Sequence, residues 1–124
     1  MDYRSVIMVF AGGGLGAVIR LVVDHRVRVL WPDLLGGGVL LVNLMGCLAI
    51  GGAVTVMDEG PARVGVIAGL LGGLTTFSSF GLLLDSGIRA ERWAAVGAQL
   101  TLHLVCGVVA VRLGVMLGRL WLRT

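Results

Sequence analysis

Charge is scarce in this sequence. Only 14% of its 124 residues are charged, whereas 57% are hydrophobic and the mean hydropathy is +1.00. A soluble domain carries about 25% charged residues, so this chain has too few polar side chains to cover a water-soluble globule. The composition therefore predicts an integral membrane protein.

Acidic residues are absent from the interior of every long apolar run. All the carboxylates fall near the ends of apolar segments or in the connections between them: Asp2, Asp24, Asp33, Asp58, Glu59, Asp85 and Glu91. Proton-coupled pumps and cation exporters usually keep a carboxylate inside the membrane. The absence of one disfavours a small proton-coupled multidrug exporter.

Lysine is also absent, and the ten basic residues are arginines scattered at segment ends. Without a basic cluster, the net charge of +3 gives no reason to expect a nucleic-acid partner. Cys47 and Cys106 lie in apolar runs without metal-ligand spacing, which favours buried hydrophobic side chains over a disulfide or a metal site. No arrangement of nucleophile and base is visible, so an enzyme is not expected.

What the sequence has instead is four apolar segments, each near the roughly 20 residues that a helix needs to cross a bilayer. They predict helices over residues 5–23, 36–57, 64–84 and 93–117, within a single domain of residues 1–124. Trp31, Trp93 and Trp121 stand at segment ends, as in an interfacial aromatic belt. We therefore expect an all-α, multi-pass protein of the cell inner (plasma) membrane.

Glycines recur at a spacing of four along three of these segments. This spacing places them on one helix face and allows backbones to approach closely. The residues are Gly12 and Gly16; Gly65, Gly69 and Gly73; Gly114 and Gly118. Tight helix packing is the favoured interpretation for most of them. Four short helices enclose little space, so we expect an aqueous path to need more than one subunit.

The third segment contains the uncharged stretch GGLTTFSSF. This stretch predicts a helix break near the middle of the membrane, because the glycine pair Gly72–Gly73 is followed by Thr75–Thr76. Irregular backbone at that depth must be buried in protein or line a watery path. Freed carbonyls can bind a cation there, and freed N–H groups can face an anion. Phe77 and Phe80 are expected on roughly one face. Their positive ring edges would suit a small anion, although packing or lipid contact is the alternative.

Neutral polar residues also occur in the second and fourth segments. Asn43 is either a hydrogen-bond donor in the path or an interhelical contact. His103 has the same two interpretations, and Gln99 lies one helical turn before it. Thr101 is expected to bond back to its own helix.

Three stretches resemble the Fluc (CrcB) family of fluoride channels: GGGLGAVIRL, LLVNLMGCLAIG and GLLGGLTTFSSF. The resemblance covers nearly the whole chain. It implies an antiparallel homodimer of four-helix subunits with two fluoride pores. The residues that match the family's pore lining are Phe77, Phe80, Asn43, Ser78 and Ser79.

The resemblance also implies a structural Na⁺ at the centre of the dimer. Gly72 and Thr75 match the residues whose backbone carbonyls hold this ion. Arg20 matches an arginine near the end of the first helix, at the vestibule of the pore.

The chain departs from the family pattern in two places. Gly81 and Leu83 stand where the family commonly has a hydroxyl and a glutamate, and Gln99 and His103 stand where a tyrosine and a serine are common. Gln99 and His103 would then belong to an altered pore lining. These departures leave open a paired heterodimer instead of a homodimer.

Orientation in the membrane depends on where the arginines fall, because Lys and Arg are in excess in cytoplasmic loops. With four crossings, one side holds Arg4, Arg63, Arg112, Arg119 and Arg123, and the other holds Arg20, Arg26, Arg28, Arg89 and Arg92. This balance gives no bias. Both orientations are expected to insert, which is the dual topology that an antiparallel homodimer requires.

The predicted function is a passive channel that exports toxic fluoride from the cytoplasm. Fluoride is small and tightly hydrated, so a narrow pore must replace its water with hydrogen-bond donors. The alternative is a non-conducting membrane assembly subunit whose glycines serve helix packing. That alternative predicts that Asn43 and the two phenylalanines are individually dispensable.

Overall fold

The computed structural model describes residues 2–124, which form helices joined by short connections. We name them α1 (Tyr3–Leu30), α2 (Gly37–Val56), α3 (61–74), α4 (Phe77–Arg89) and α5 (Trp93–Trp121). Within α3, Gly65–Leu71 is π-helical, and within α5, Leu102–Cys106 is π-helical.

The membrane-spanning architecture follows from these helices. Across residues 2–124, four helical stretches are long and apolar enough to cross a membrane: Tyr3–Leu30, Gly37–Val56, Pro61–Arg89 and Trp93–Trp121. The third stretch consists of α3 and α4. The prediction of an all-helical protein with four spans is confirmed, and the protein is a multi-pass membrane protein.

The helices run further than the sequence predicts. α1 continues past residue 23 to Leu30, because Asp24 and Arg28 pair one turn apart at 2.5 Å. α4 continues past residue 84, where Asp85 pairs with Arg89 in the same way. Pairs at i and i+4 support a helix. It was therefore wrong to end a helix at each of these charged runs.

Local chemistry accounts for the helix starts. Asp2 caps α1, and its carboxylate accepts from the Arg4 N–H at 3.3 Å. Gly36 precedes α2 with a φ of 68°, a left-handed conformation that glycine adopts without a steric penalty. Pro61 opens α3, where its missing N–H costs nothing.

Glycines bring the helices together along two seams. In the α1–α3 seam, a Cβ added at Gly12 would stand 2.6 Å from the carbonyl oxygen of Gly65. In the α2–α5 seam, a Cβ added at Gly114 would stand 3.1 Å from the Cα of Gly51. Lipid is as apolar as the side chains, so such close backbone packing is what joins helices in a membrane. The interpretation of the spaced glycines as packing faces is confirmed.

A small apolar core lies beside the third span. It contains Val42, Leu71 and Leu74, with exposures of 0%, 6% and 7%. Most other large apolar side chains are exposed, as expected for a surface that faces lipid or a second subunit. Because Leu74 is the last residue of α3, this core anchors the chain directly before the third span is interrupted.

The α1–α3 seam predicts a difference between two neighbouring glycines. Gly12→Ala should lower the free energy of unfolding by about 1–3 kcal/mol, because its new methyl meets the α3 backbone. Gly14→Ala is the matched control, since nothing lies within 4 Å of a Cβ at that position. Unfolding titrations in detergent micelles measure both variants. Equal stability of the two would show that the seam is not close-packed.

Candidate functional site

The third span is interrupted at Thr75 and Thr76. Their φ and ψ angles are extended, −83° and 156° at Thr75 and −152° and 120° at Thr76. Thr75 is the central residue of Pro61–Arg89. The expected break exists, but it follows the glycine pair, because Gly72 and Gly73 remain helical. Gly73 instead packs on α1, where the carbonyl of Gly13 lies against the space of its missing Cβ.

Thr76 caps the start of α4. Its Oγ1 accepts from the Ser79 N–H at 3.2 Å and lies 3.2 Å from the Ser78 hydroxyl and 3.1 Å from the Ser79 hydroxyl. The two serines expected in the pore are therefore gathered around Thr76. Sequence reasoning left Thr76 out of the site, although a threonine directly before an amphipathic helix is a recognisable cap signal.

Asn43 of α2 bonds to both polar backbone groups of Thr76. Its Oδ1 accepts from the Thr76 N–H at 2.8 Å, and its Nδ2 donates to the Thr76 carbonyl at 3.1 Å. The ring formed by these two bonds uses the amide N–H on the same side as Oδ1. Asn43 is thus an interhelical contact, one of its two predicted roles, and it keeps one amide N–H outside the ring.

These contacts redirect two donors. In a continuous α-helix each N–H donates to the carbonyl four residues earlier. Thr76 N–H would then bond to Gly72 O, and Ser79 N–H would bond to Thr75 O. Here Thr76 N–H donates to Asn43 and Ser79 N–H donates to the Thr76 hydroxyl. The carbonyls of Gly72 and Thr75 therefore lose the donors that a continuous helix would give them.

The two released carbonyls have the chemistry of a cation site. Carbonyl oxygens are hard ligands that suit an alkali or alkaline-earth ion. Among residues 2–124, no group of three or more His, Cys, Asp or Glu side chains could hold a metal ion. Neutral oxygens without a carboxylate fit a monovalent ion better than a divalent one. Gly72 and Thr75 thus fit the ion that the family resemblance implies.

An aromatic stack lies beside the break. The rings of Phe77 and Phe80 are 5.8 Å apart at 65°, and His103 of α5 stacks on Phe80 at 4.1 Å and 28°. Phe80 is 5% exposed and Phe77 is 83% exposed. The structure therefore brings both phenylalanines and His103 together, with Phe80 in the middle and Phe77 at the open face.

One hydrogen bond orients the His103 ring. Its Nδ1 is 2.9 Å from the Gln99 carbonyl, so Nδ1 carries the hydrogen and donates. Its Nε2 is buried and finds no partner within residues 2–124. In the neutral ring Nε2 is then an acceptor, which does not suit an anion. His103 is better placed to support Phe80 than to donate into the path.

Two cavities meet at Thr76. One has a volume of about 540 Å³, and its lining includes Asn43, Gly72, Thr75, Thr76, Phe77, Phe80 and His103. The other, of about 340 Å³, is lined by Ala17, Arg20, Leu21, Asp24, Val39, Thr76 and Ser79. The Nε of Arg20 is buried and unpartnered by any residue from 2 to 124. Arg20 thus lines a cavity that shares Thr76 with the cavity of the aromatic stack.

Other predicted polar residues lie outside the cavities. Gln99 is 5% exposed and donates to the Leu35 carbonyl, which ties α5 to the connection before α2. Thr101 bonds back to the Gly97 carbonyl at 2.9 Å, as predicted. Leu83, at the position of the family glutamate, places its methyl groups against Gly36. Leu83 is therefore a packing residue of the loop before α2.

These features define a class of protein. Four membrane spans, one of them broken beside cavities with polar and aromatic linings, are features of small membrane channels, in which irregular backbone at membrane depth lines a cavity.

Comparison with known proteins gives the family. The family model described as "CrcB-like protein, Camphor Resistance (CrcB)" matches residues 7–115. A relative named "Fluoride-specific ion channel FluC" from Chloroflexus aurantiacus is 33% identical over 94% of this chain and 96% of its own length. A relative with the same name from Sulfurovum sp. is 36% identical over 94% and 95%.

The chain belongs to the CrcB family of fluoride-specific ion channels. The resemblance recognised in the sequence is thereby confirmed. The prediction that the chain is not an enzyme is also confirmed, because its relatives are named as ion channels.

The cap at Thr76 predicts a contrast between two substitutions. Thr76→Ala should lower the free energy of unfolding by about 1 kcal/mol, because the Ser79 N–H loses its acceptor. Thr76→Ser keeps the oxygen and should stay close to the wild type. Unfolding titrations of both variants in the same detergent measure the effect. An alanine variant as stable as the serine variant would contradict the cap.

Proposed function

We propose that the protein is a passive channel through which fluoride leaves the cytoplasm across the plasma membrane. The single observation that carries this proposal is the break at Thr75 and Thr76, where Asn43 meets the backbone beside the Phe77–Phe80–His103 stack. Family membership supports fluoride as the ion, since the relatives are named for it.

Hydrogen-bond donors would replace the water around fluoride. The amide N–H of Asn43 that lies outside the ring to Thr76 is one donor. The Ser79 hydroxyl accepts from the Thr76 hydroxyl and keeps its own hydrogen, so it is a second donor. Because the Thr76 hydroxyl gives its only hydrogen to Ser79, the Ser78 hydroxyl donates to Thr76 and would have to turn toward the ion to join them. His103 covers a face of Phe80, and the positive edge of an aromatic ring lies elsewhere on its perimeter. The path thus offers partial positive charge, which permits an anion to leave as well as to enter.

Arg20 would act before the narrow path. Its guanidinium lines the second cavity with Thr76 and Ser79, and its Nε is buried there without a partner from residues 2–124. A fixed positive charge in a cavity with low-dielectric walls raises the local concentration of anions. We assign it the vestibule role that the resemblance implies.

A structural Na⁺ belongs to the proposal. The carbonyls of Gly72 and Thr75, released from helical donors, would hold it with the same carbonyls of a second subunit. When bound, the ion supplies positive charge and ties the two broken helices together. The oxygen-only ligand set supports a monovalent ion.

We also propose an antiparallel homodimer. Phe77 is 83% exposed in one subunit although it belongs to the aromatic stack, so a second subunit would cover it and close the larger cavity. The even distribution of arginines supports pairing with a copy of the opposite orientation. A paired heterodimer is the alternative, and a non-conducting assembly subunit is not favoured because the relatives are named as channels.

Fluoride efflux tests the proposed function. Liposomes that contain only this chain should release fluoride, and Phe80→Ile should lower the rate about tenfold because isoleucine has no positive ring edge. Phe10→Ile is the matched control, since Phe10 is 84% exposed on α1. A fluoride-selective electrode measures the efflux. No efflux from the wild type would contradict the proposed channel function. Efflux at the wild-type rate from Phe80→Ile would show that the Phe80 ring does not contribute to the path.

Dual topology is tested by labelling a single cysteine. Asp58→Cys, in the exposed connection before α3, would be combined with replacement of Cys47 and Cys106. We expect an impermeant thiol reagent to label this position from both faces of the cell membrane, in roughly equal fractions. Labelling from one face only would rule out dual topology and favour a heterodimer.

A further inference from the structure

Asn43 controls which acceptor the Thr76 N–H uses. Two acceptors compete for it: the Gly72 carbonyl, its partner in a continuous helix, and Asn43 Oδ1, its partner here at 2.8 Å. The same amide donates to the Thr76 carbonyl, so both backbone groups of Thr76 are satisfied by one side chain from another helix. Asn43 therefore supplies protein partners for the two backbone groups that the break at Thr76 leaves without helical partners.

Removing the Asn43 amide would leave the Thr76 peptide unsatisfied. Thr76 is 8% exposed, and an unsatisfied buried donor costs about 1–3 kcal/mol. The nearest remedy along the chain is the Gly72 carbonyl. A return of the Thr76 N–H to that acceptor would restore the helix and occupy the Gly72 oxygen.

A second contact fixes the register of the break on α2. The Thr75 methyl carbon occupies the space where a Cβ at Gly46 would lie. Gly46 follows Asn43 by three residues, so both lie on the same side of α2. Glycine at this position lets Thr75 come close enough for Asn43 to reach the next peptide.

We propose that Asn43 is a positioning residue that holds the third span open. By taking the Thr76 N–H, it frees the Gly72 carbonyl for a cation; by closing the ring with the Thr76 carbonyl, it fixes the direction of its remaining amide N–H. Its link to ion conduction rests on the proposed function. Its effect on the helix does not depend on conduction.

The backbone effect can be measured directly. The ¹³C chemical shifts of Thr75 and Thr76, recorded by solid-state NMR in lipid, should be those of extended residues in the wild type and should move to helical values in Asn43→Ala. Thr101→Ala is the control, because the Thr101 hydroxyl bonds only within its own helix. Extended shifts that persist in Asn43→Ala would overturn the proposal, whether or not the wild type conducts.

A pH profile separates the hydrogen-bonded ring between Asn43 and Thr76 from simple packing. In Asn43→Asp a carboxylate repels the Thr76 carbonyl, but a protonated carboxyl group can both accept and donate and so rebuilds the ring. The single hydrogen of that carboxyl group is used by the ring and none remains for fluoride, so the measurement is made on the backbone. We expect the ¹³C shifts of Thr75 and Thr76 in this variant to be extended when the carboxyl group is protonated and to move to helical values when it is ionised. Asn43→Ala should show helical shifts at low and at high pH.

The control for this profile is the wild type, whose shifts should stay extended at each pH. It accounts for the titratable or charged groups that line the two cavities: Cys47, His103, Arg20 and Asp24. Helical shifts in Asn43→Asp at both pH values, as in Asn43→Ala, would overturn the positioning role. This outcome does not depend on whether the wild type conducts fluoride.

Discussion

A polypeptide inside a membrane must satisfy its backbone hydrogen bonds without water, and this constraint governs the third span. Thr75 and Thr76 are extended at its centre. The Thr75 N–H still donates to the Leu71 carbonyl, but the polar backbone groups of Thr76 have no helical partners. Asn43 supplies both partners for Thr76, and the Thr76 hydroxyl in turn supplies the acceptor for Ser79. The break is thus a set of substituted hydrogen bonds in which protein groups replace the helical partners.

The replaced hydrogen bonds leave different chemical groups free before and after the break. Carbonyls of Gly72 and Thr75 lose their helical donors, which creates oxygen ligands without placing a carboxylate in the membrane. On the other side, the restart of the helix at Phe77 gathers three hydroxyls and the aromatic stack. One interruption therefore prepares groups suited to a cation and groups suited to an anion, and it does so with neutral residues whose burial costs far less than that of ions.

Much of this arrangement was predictable from the sequence. Four apolar segments predicted the four spans, and the glycine spacing predicted the close helix seams. The stretch GGLTTFSSF predicted that the third span is broken. Its position was not predictable from glycine content, because Gly73 is needed for packing on α1 and stays helical. The bond between Asn43 and Thr76 joins residues far apart in the chain, so only the tertiary packing of α2 on α3 reveals it. The ends of α1 and α4 were not predictable from hydrophobicity, because aspartate–arginine pairs one turn apart extend both helices beyond the apolar segments.

The two departures from the family pattern now have different physical meanings. Leu83 stands where the resemblance leads one to expect a polar residue, but it packs on Gly36, whose missing Cβ leaves room for the Leu83 methyl groups. Leu83 therefore contributes to the packing of the loop before α2. His103 lines the larger cavity, where it covers the face of Phe80. With Nδ1 committed to the Gln99 carbonyl, its contribution is a flat surface that limits the rotation of the phenyl ring. A ring held by its face keeps its edge in a constant direction, and the edge is the part of phenylalanine that an anion can use.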